Sequence, residues 1–561
     1  MSYKAKHPIR IVTAASLFDG HDASINIMRR MLQDLGAEVI HLGHNRSVQD
    51  VVKAVLQEGA QGVAISSYQG GHMEYFKYVK DLLLENGAGY VKIFGGGGGV
   101  IIHEEKAELE AYGITQIFHP DDGRRLGLEG MIEFIICECD FLVDEIQNPT
   151  NEFKDLPREN FFNRDLGLAI NAIENGQDLK PFRDLLAAFR KKENPPLVVG
   201  ITGTGGAGKS SLIDELVQRF LNHYDGAKVA VVCVDPTKSK TGGALLGDRI
   251  RMNSLERPNC FMRSLASRGS GSEISKNLPE VLNLLKTLDF DMIIAESSGI
   301  GQNSKAILDI SDVSLYVMTS EFGAQSQLEK IEMIDYADII AINKADHRGA
   351  DDAHRDVVKQ YKRSRKMFEV DNSEIPVFLT QASNFNDEGV NQLFLGLMQK
   401  LKNTAHEKTL KLSPVLETTS LEFFKGAKKQ KVVPSERQNY LAEIVHKVRN
   451  YKNDTEVKAQ KLTQLRSLEL AHEVVPVEQI QQKIKEIRSQ FSSSEMEQLE
   501  NFEGKAKKYF DKEFVYSVRG REIKQPLSSK SLCGLDIPRV VPPKLTDWGD
   551  RYRFIRLENF P

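Results

Sequence analysis

The octapeptide Gly203-Thr204-Gly205-Gly206-Ala207-Gly208-Lys209-Ser210 constrains this chain more than any other stretch. It fits the pattern G-x-x-x-x-G-K-[ST] at every fixed position, follows the apolar run 198–202 and precedes the helix-like stretch 211–221. A strand, a glycine-rich turn and a helix in that order form a phosphate cradle. The glycines let successive N–H groups curl round a β-phosphate, and the helix N-terminus favours its negative charge. Lys209 is expected to reach the β- and γ-phosphates and to carry the catalytic charge, and the Ser210 hydroxyl to coordinate Mg²⁺. Gly205, Gly206, Ala207 and Gly208 complete the cradle.

Further apolar runs at 229–234, 292–295, 315–319, 339–343 and 376–379 continue the alternation and predict an α/β P-loop domain over 196–415. The tetrad Asn343-Lys344-Ala345-Asp346 ends one of these runs, about 130 residues beyond the P-loop. Its carboxylate, at Asp346, can accept from the N1–H and exocyclic amine of guanine, whereas adenine offers no matching donor pair. GTP is therefore the expected nucleotide, with Gln381-Ala382-Ser383 beside the base. Glu296-Ser297-Ser298-Gly299 follows the 292–295 run, where an NTPase needs an acid near Mg²⁺ and a glycine near the γ-phosphate. Glu296 is thus a catalytic and metal-site candidate with Ser297, although most G proteins carry Asp at that first position. By spacing alone, Asp235 and Asp248 read equally well as loop carboxylates or as metal ligands.

Residues 1–140 show the same alternation, with apolar runs at 9–16, 38–44, 62–68, 91–97 and 116–119 separated by helix-like stretches such as 25–35 and 48–58. Five strands with intervening helices predict a doubly wound, flavodoxin-like α/β sheet. Such sheets bind ligands at the carboxyl ends of their strands. Three candidate elements fall there: Asp19-Gly20-His21-Asp22-Ala23-Ser24, Ser66-Ser67-Tyr68-Gln69-Gly70-Gly71-His72, and the glycine run 95–99 containing Gly95, Gly96 and Gly97. Taken alone, Asp19 and His21 also read as a loop histidine steadied by an aspartate.

Two resemblances sharpen this reading. The first element resembles the D-x-H-x-x-G signature of base-off cobalamin-binding domains, with Ser24 standing at the final glycine. It implies that His21 ligates cobalt, that Asp19 fixes its tautomer, and that Ser66 and Gly95, Gly96 and Gly97 line the path of the displaced nucleotide tail. The segment from Asp235-Pro236 through Gly242-Gly243-Ala244-Leu245-Leu246-Gly247-Asp248-Arg249-Ile250-Arg251, with 296–302, resembles the G-protein chaperones of the bacterial mutase-chaperone family. That resemblance implies that Asp235 and Asp248 help hold Mg²⁺ and that Arg251 approaches the nucleotide.

Taken together, the order cobalamin domain, G domain, helical linker resembles the family of fused isobutyryl-CoA mutases. It implies an adenosylcobalamin-dependent isomerase that converts isobutyryl-CoA to n-butyryl-CoA, with GTP hydrolysis gating cofactor loading and protection. On this reading residues 141–195 are a connector and 416–540 a mainly helical linker, while 541–561 open an acyl-CoA-binding domain that the chain does not continue. A free-standing cobalamin carrier and GTPase chaperone is the alternative, and a cobalamin sensor a third reading.

Composition adds bounds. A net charge of −4 over 561 residues predicts no nucleic-acid partner. The absence of a long apolar run predicts no membrane span, and a cytoplasmic address follows as the default. The five scattered cysteines are expected to be buried thiols. A helix over 441–448, read from the spacing of Leu441, Ile444, Val445 and Val448, suits a homodimer.

Overall fold

The computed structural model describes residues 3–143, 161–190, 194–238, 240–268, 274–299, 306–322, 328, 331–408, 416, 440–518 and 521–560. The chain divides into two compact units, 1–430 and 431–561.

In the first unit, β1 (Arg10–Ala15), β2 (Glu38–His41), β3 (Gly62–Ser66), β4 (Lys92–Gly96) and β5 (Gln116–Phe118) pair in parallel in the order β5-β4-β3-β1-β2. This is the flavodoxin-like order expected from the sequence. The strands read as near-continuous apolar runs because helices cover both faces. Helix α1 (Ala23–Asp34) and α5 (Pro120–Cys139), which breaks at Gly127, bury Leu32, Ile132, Ile135 and Ile136 against Ile11, Val39, Ala64 and Phe94. On the other face α2 (Val48–Glu58), α3 (His72–Glu85) and α4 (His103–Tyr112) set Val51, Val55, Phe76, Val79 and Leu109 against Val12, Ile40, Val63 and Ile93. Reciprocal capping by Ser47 and Asp50 starts α2, and Gly59 in the left-handed region ends it.

Helix α6 (Phe162–Asn175) lies within the expected connector. It sends Leu166, Leu168, Ala169, Ile170 and Ile173 into the core of the next domain. It also crosses α2 so closely that a Cβ on Gly167 would stand 2.2 Å from the Leu56 carbonyl oxygen. A shorter helix, α7 (Lys180–Leu186), follows.

The second sheet is β6 (Leu197–Gly203), β7 (Val229–Asp235), β9 (Cys260–Ala266), β10 (Met292–Glu296), β11 (Val313–Thr319), β12 (Ile339–Asn343) and β13 (Val377–Leu379), all parallel, in the order β13-β12-β11-β6-β10-β7-β9. Six of these strands coincide with the apolar runs. The seventh, β9, escapes such reading because Arg263 and Ser264 interrupt its run, yet both are completely buried. The intervening β8 (Ala244–Leu246) leaves this sheet altogether. It pairs in parallel with β2 and becomes the sixth strand of the first sheet.

The unit 431–561 is built round the helix Tyr440–Val474. Its core gathers Ala459, Leu462 and Leu465 from that helix with Ile487, Phe491, Met496, Leu499 and Tyr552. Leu441, Ile444, Val445 and Val448 do lie on this helix but are exposed, so the core forms further along it. The final helix, Trp548–Leu557, joins the same core, and the Thr463 hydroxyl donates to Asp547 at 2.6 Å.

The cysteine expectation is corrected in part. Cys139, Cys233 and Cys260 are buried, but Cys137 and Cys533 are exposed. Among the described residues no helix is long and apolar enough to cross a membrane.

Candidate nucleotide and cofactor sites

The P-loop joins β6 to α8 (Lys209–His223), with Gly206 and Gly208 at φ of 75° and 86°, a region closed to most side chains. Lys209 is buried and its ammonium donates to the Gly203 and Thr204 carbonyls at 3.3 and 3.4 Å, lying across the loop it serves. Gly299 makes that possible, because a Cβ there would stand 2.3 Å from the Lys209 Nζ.

The Ser210 hydroxyl lies 2.7 Å from Asp248 Oδ1 and 3.3 Å from Glu296 Oε1. Gly205, Gly206, Gly208, Lys209, Ser210, Asp235, Asp248, Arg251, Glu296 and Ser297 line one cavity of about 170 Å³. Within it Asp235 accepts from the Gly247 N–H at 3.2 Å. Arg251 is exposed, with a guanidinium nitrogen 3.9 Å from Asp248. Ser297 is less available, because its hydroxyl donates to Thr202 at 2.7 Å and is completely buried there. One neighbour was missed in the sequence: Cys233, two residues before Asp235 on β7, donates its thiol to Glu296 at 3.3 Å. Period-two alternation along β7 places both side chains on one face, which is the only signal that could have found it.

Burial pushes Glu296 up to about 8, and the Asp248 carboxylate adds to the rise against partial relief from Lys209. Asp235 is likewise pushed up to about 8, by burial first and by Asp248 second. Burial and the Asp248 charge thus outweigh the partial relief that Lys209 gives Glu296 and Arg251 gives Asp235, so oxygen donors and electrostatics both fit a hard divalent cation such as Mg²⁺.

Asn343 works as a brace. Its amide donates to the Ala207 carbonyl at 2.8 Å, and its Oδ1 accepts from Ala382 N–H at 3.1 Å, tying the P-loop to the tetrad and to the loop after β13. Gly208 has no room for a Cβ, which would lie 2.5 Å from the Asn343 Nδ2. Lys344 takes φ of 58°, the Ala345 N–H donates to Thr380 O at 3.0 Å, and Asp346 is left exposed. Of the tetrad, Asn343 is thus the residue joined to the P-loop.

At the first sheet, the buried Asp19 carboxylate organises the loop after β1. Oδ1 accepts from the His21 N–H and faces His21 Nδ1, both at 2.9 Å, while Oδ2 accepts from the Tyr68 N–H at 2.6 Å. Burial would raise this carboxyl, but the Tyr68 and His21 donors hold it below its ordinary value. With Nδ1 committed, His21 presents Nε2 from a side chain 76% exposed. Such an imidazole suits a metal ligand oriented by a carboxylate.

Beside it a cavity of about 220 Å³ runs between the strand ends and α1 and α5. Ser24, Ser66, Gly95, Gly96, Gly97 and Phe94 are among its lining. Ser24, at the position where the signature has glycine, stands with its hydroxyl 3.5 Å from that of Ser66. The glycines serve different ends. A Cβ on Gly95 would strike Phe76 at 2.4 Å, and one on Gly97 would strike the Ser67 carbonyl at 2.0 Å. On Gly96 it would meet only Phe118 O at 3.5 Å, so Gly96 is the one whose missing side chain leaves cavity space. The largely apolar lining fits an aromatic group, and the open Nε2 fits cobalt, so the residues fit a base-off corrinoid.

Residues 9–122 match the B12 binding domain family, and 166–423 match the methylmalonyl Co-A mutase-associated GTPase MeaB family. The fused isobutyryl-CoA mutase of Geobacillus kaustophilus is 48% identical over 100% of this chain and 52% of its own. That of Cupriavidus metallidurans is 46% identical over 99% and 50%, and that of Nocardia farcinica 45% over 100% and 51%. The chain thus spans about half the length of these relatives. A B12-binding domain followed by a MeaB-type GTPase domain, matched from end to end, places the chain in the fused isobutyryl-CoA mutase family, as the counterpart of its amino-terminal half.

Proposed function

We propose that this chain is the cobalamin-binding and GTPase portion of an adenosylcobalamin-dependent acyl-CoA mutase acting on isobutyryl-CoA. The observation that carries the reading is the pairing of two preorganised sites in one unit, the Asp19–His21 loop over a lined cavity and the P-loop facing Ser210, Asp248 and Glu296. When bound, adenosylcobalamin supplies a radical source for the carbon-skeleton rearrangement. This chain's residues hold and orient it. Asp19 keeps the His21 proton on Nδ1 so that Nε2 faces cobalt, and the cavity by Ser66 and Gly96 takes up the displaced base.

At the nucleotide site Lys209 offsets phosphate charge. Ser210, Asp248, Glu296 and Asp235 hold Mg²⁺, and Arg251, exposed at the rim, closes on the nucleotide. Asp346 selects guanine. The acyl-CoA is handled by a further domain of the complete protein, and GTP binding and hydrolysis gate cofactor loading and protection. A homodimer belongs to this reading, with Leu441, Ile444, Val445 and Val448 as an exposed apolar stripe suited to it.

The test is electron spin resonance of the chain with cob(II)alamin. A nitrogen splitting that changes when the protein's histidines carry ¹⁵N, and disappears in His21→Ala, supports the reading. A splitting indifferent to the protein label overturns it.

A further inference from the structure

Residues 240–251 belong by sequence to the GTPase domain, yet they are clasped to the B12-binding domain. Strand β8 pairs residue for residue with β2, Ala244 with Glu38, Leu245 with Val39 and Leu246 with Ile40. The approach to that strand is as close as backbone allows, since a Cβ on Gly243 would lie 2.0 Å from Gln33 O. Beyond the strand, Ile250 reaches Gly43, where a Cβ would stand 2.7 Å from its Cδ1.

Between these two contacts sit Asp248, which meets Ser210, and Arg249, which points into the other domain. Arg249 is 6% exposed. Its guanidinium donates to Glu58 Oε1 at 3.2 Å, Gln57 Oε1 at 2.9 Å and Met262 O at 2.7 Å. Glu58 is wholly buried, and its carboxylate also takes Arg10 Nη1 at 3.2 Å and the Ser264 N–H.

We infer that Gln57 and Glu58, residues of the B12-binding domain, are positioning residues for the nucleotide site: by anchoring Arg249 they fix the backbone that presents Asp248 to Ser210 and Glu296. The inference rests on the proposed reading of that site and deepens it. A three-residue edge strand is weak by itself, and the guanidinium anchor is what fixes the residues that follow it. Ser210 and Lys209 are placed by the P-loop, whereas the segment carrying Asp248 is held from both sides, by Asp235 and Met262 O in its own domain and by Gln57 and Glu58 in the neighbouring one. The spacing of the metal-site oxygens therefore depends in part on the neighbouring domain.

The experiment uses the full chain and reads GTP hydrolysis against Mg²⁺ concentration, alongside fluorescent GDP binding in the presence of EDTA. Arg249→Met keeps the side chain's length and removes its donors. It should raise the Mg²⁺ needed for half-maximal turnover by roughly 10–100-fold, the range typical when a group orienting a metal ligand is lost. Metal-free GDP affinity should stay within about twofold of the parent, because the P-loop is untouched. Arg249→Lys should recover part of the Mg²⁺ response. Glu58→Gln should shift the Mg²⁺ requirement in the same direction, and carries the test if Arg249→Met fails to fold.

Unchanged Mg²⁺ dependence in a folded variant overturns the inference. So does an equal loss of GDP binding with and without metal, which would mark a merely structural pair. If the parent chain itself shows no Mg²⁺-dependent GTP turnover, the nucleotide-site reading fails first and takes this inference with it.

Discussion

His21 and Asp19 form a pair in which the carboxylate leads: Asp19 Oδ1 accepts the His21 N–H and also stands 2.9 Å from its Nδ1, so one oxygen fixes both the backbone and the ring of the residue two positions on. Removing the carboxylate should therefore misorient the ring without removing the ligand. Asp19→Ala is expected to weaken cobalamin binding about 10–100-fold, less than His21→Ala does. Titrations followed by the corrin's visible spectrum measure both. Equal losses in the two variants would show that orientation by Asp19 is the whole effect of the histidine.

The two glycines Gly96 and Gly97 should answer differently to the same methyl group. Gly97→Ala drives a Cβ into the Ser67 carbonyl, and overpacking of this kind costs about 1–3 kcal/mol of stability. Gly96→Ala meets only an ordinary contact and should leave the melting temperature unchanged while weakening cobalamin binding. Calorimetric melting of both proteins, with cobalamin affinity alongside, separates a backbone requirement from a ligand requirement.

In the nucleotide site, Lys209→Ala should abolish GTP turnover, since one positioned donor contributes about 3–4 kcal/mol to a developing charge. Ser297→Ala should do much less. Its hydroxyl is engaged by Thr202, so about 0.5–1.5 kcal/mol of stability is at stake and the Mg²⁺ response should not move. Asp346→Asn should shift preference from GTP toward xanthosine triphosphate, read by competition binding. A Ser297→Ala protein with a strongly raised Mg²⁺ requirement would return that hydroxyl to the metal.

His41 gives a pH dependence of known sign. Burial lowers its pKa from 6.5 to about 4, with Arg29 and Arg46 adding to the fall and Asp22 opposing it. The folded protein thus keeps the ring neutral over a range where the unfolded chain takes up a proton. The stability it contributes is present above pH 6.5 and is lost as pH falls from there toward 4. His41→Gln should flatten the decline of the melting temperature across that window. An unchanged slope would assign the decline to other groups.

Much of this was legible because the relevant signals are local. The P-loop, the Asn343–Asp346 tetrad and the Asp19–His21 pair each lie within eight residues, and fully covered parallel strands announce themselves as apolar runs. What escaped was non-local. Strand β9 carries Arg263 in mid-run, and that charge is tolerable because Glu174, 89 residues earlier, meets it in the fold together with Asn171 and the Glu58 carbonyl. The network of Arg10 with Glu38, Glu58 and Glu174 is equally silent in sequence, since its members stand on β1, β2, α2 and α6. Glu38, buried beneath Arg10 and Arg268, is held down to about 2 despite its burial. Strand β8 is three residues long and pairs with a partner some 200 residues away, so no window of sequence contains both halves.

The migration of β8 also means that the domain boundary seen in the sequence is not a place where the molecule can be cut. A fragment ending near residue 140 would carry five of the six strands of the first sheet, yet would bare the backbone of Glu38, Val39 and Ile40 along β2. Exposed strand edges of this kind recruit other strands, and the first available copy would be another fragment. The same fragment would take Glu174 from Arg10 and Arg249 from Glu58, leaving that pair to each other and to Glu38. Such a piece should self-associate rather than stay monomeric, and a peptide covering residues 236–251 should act as its soluble cap, competing for the edge that the intact chain fills with its own β8.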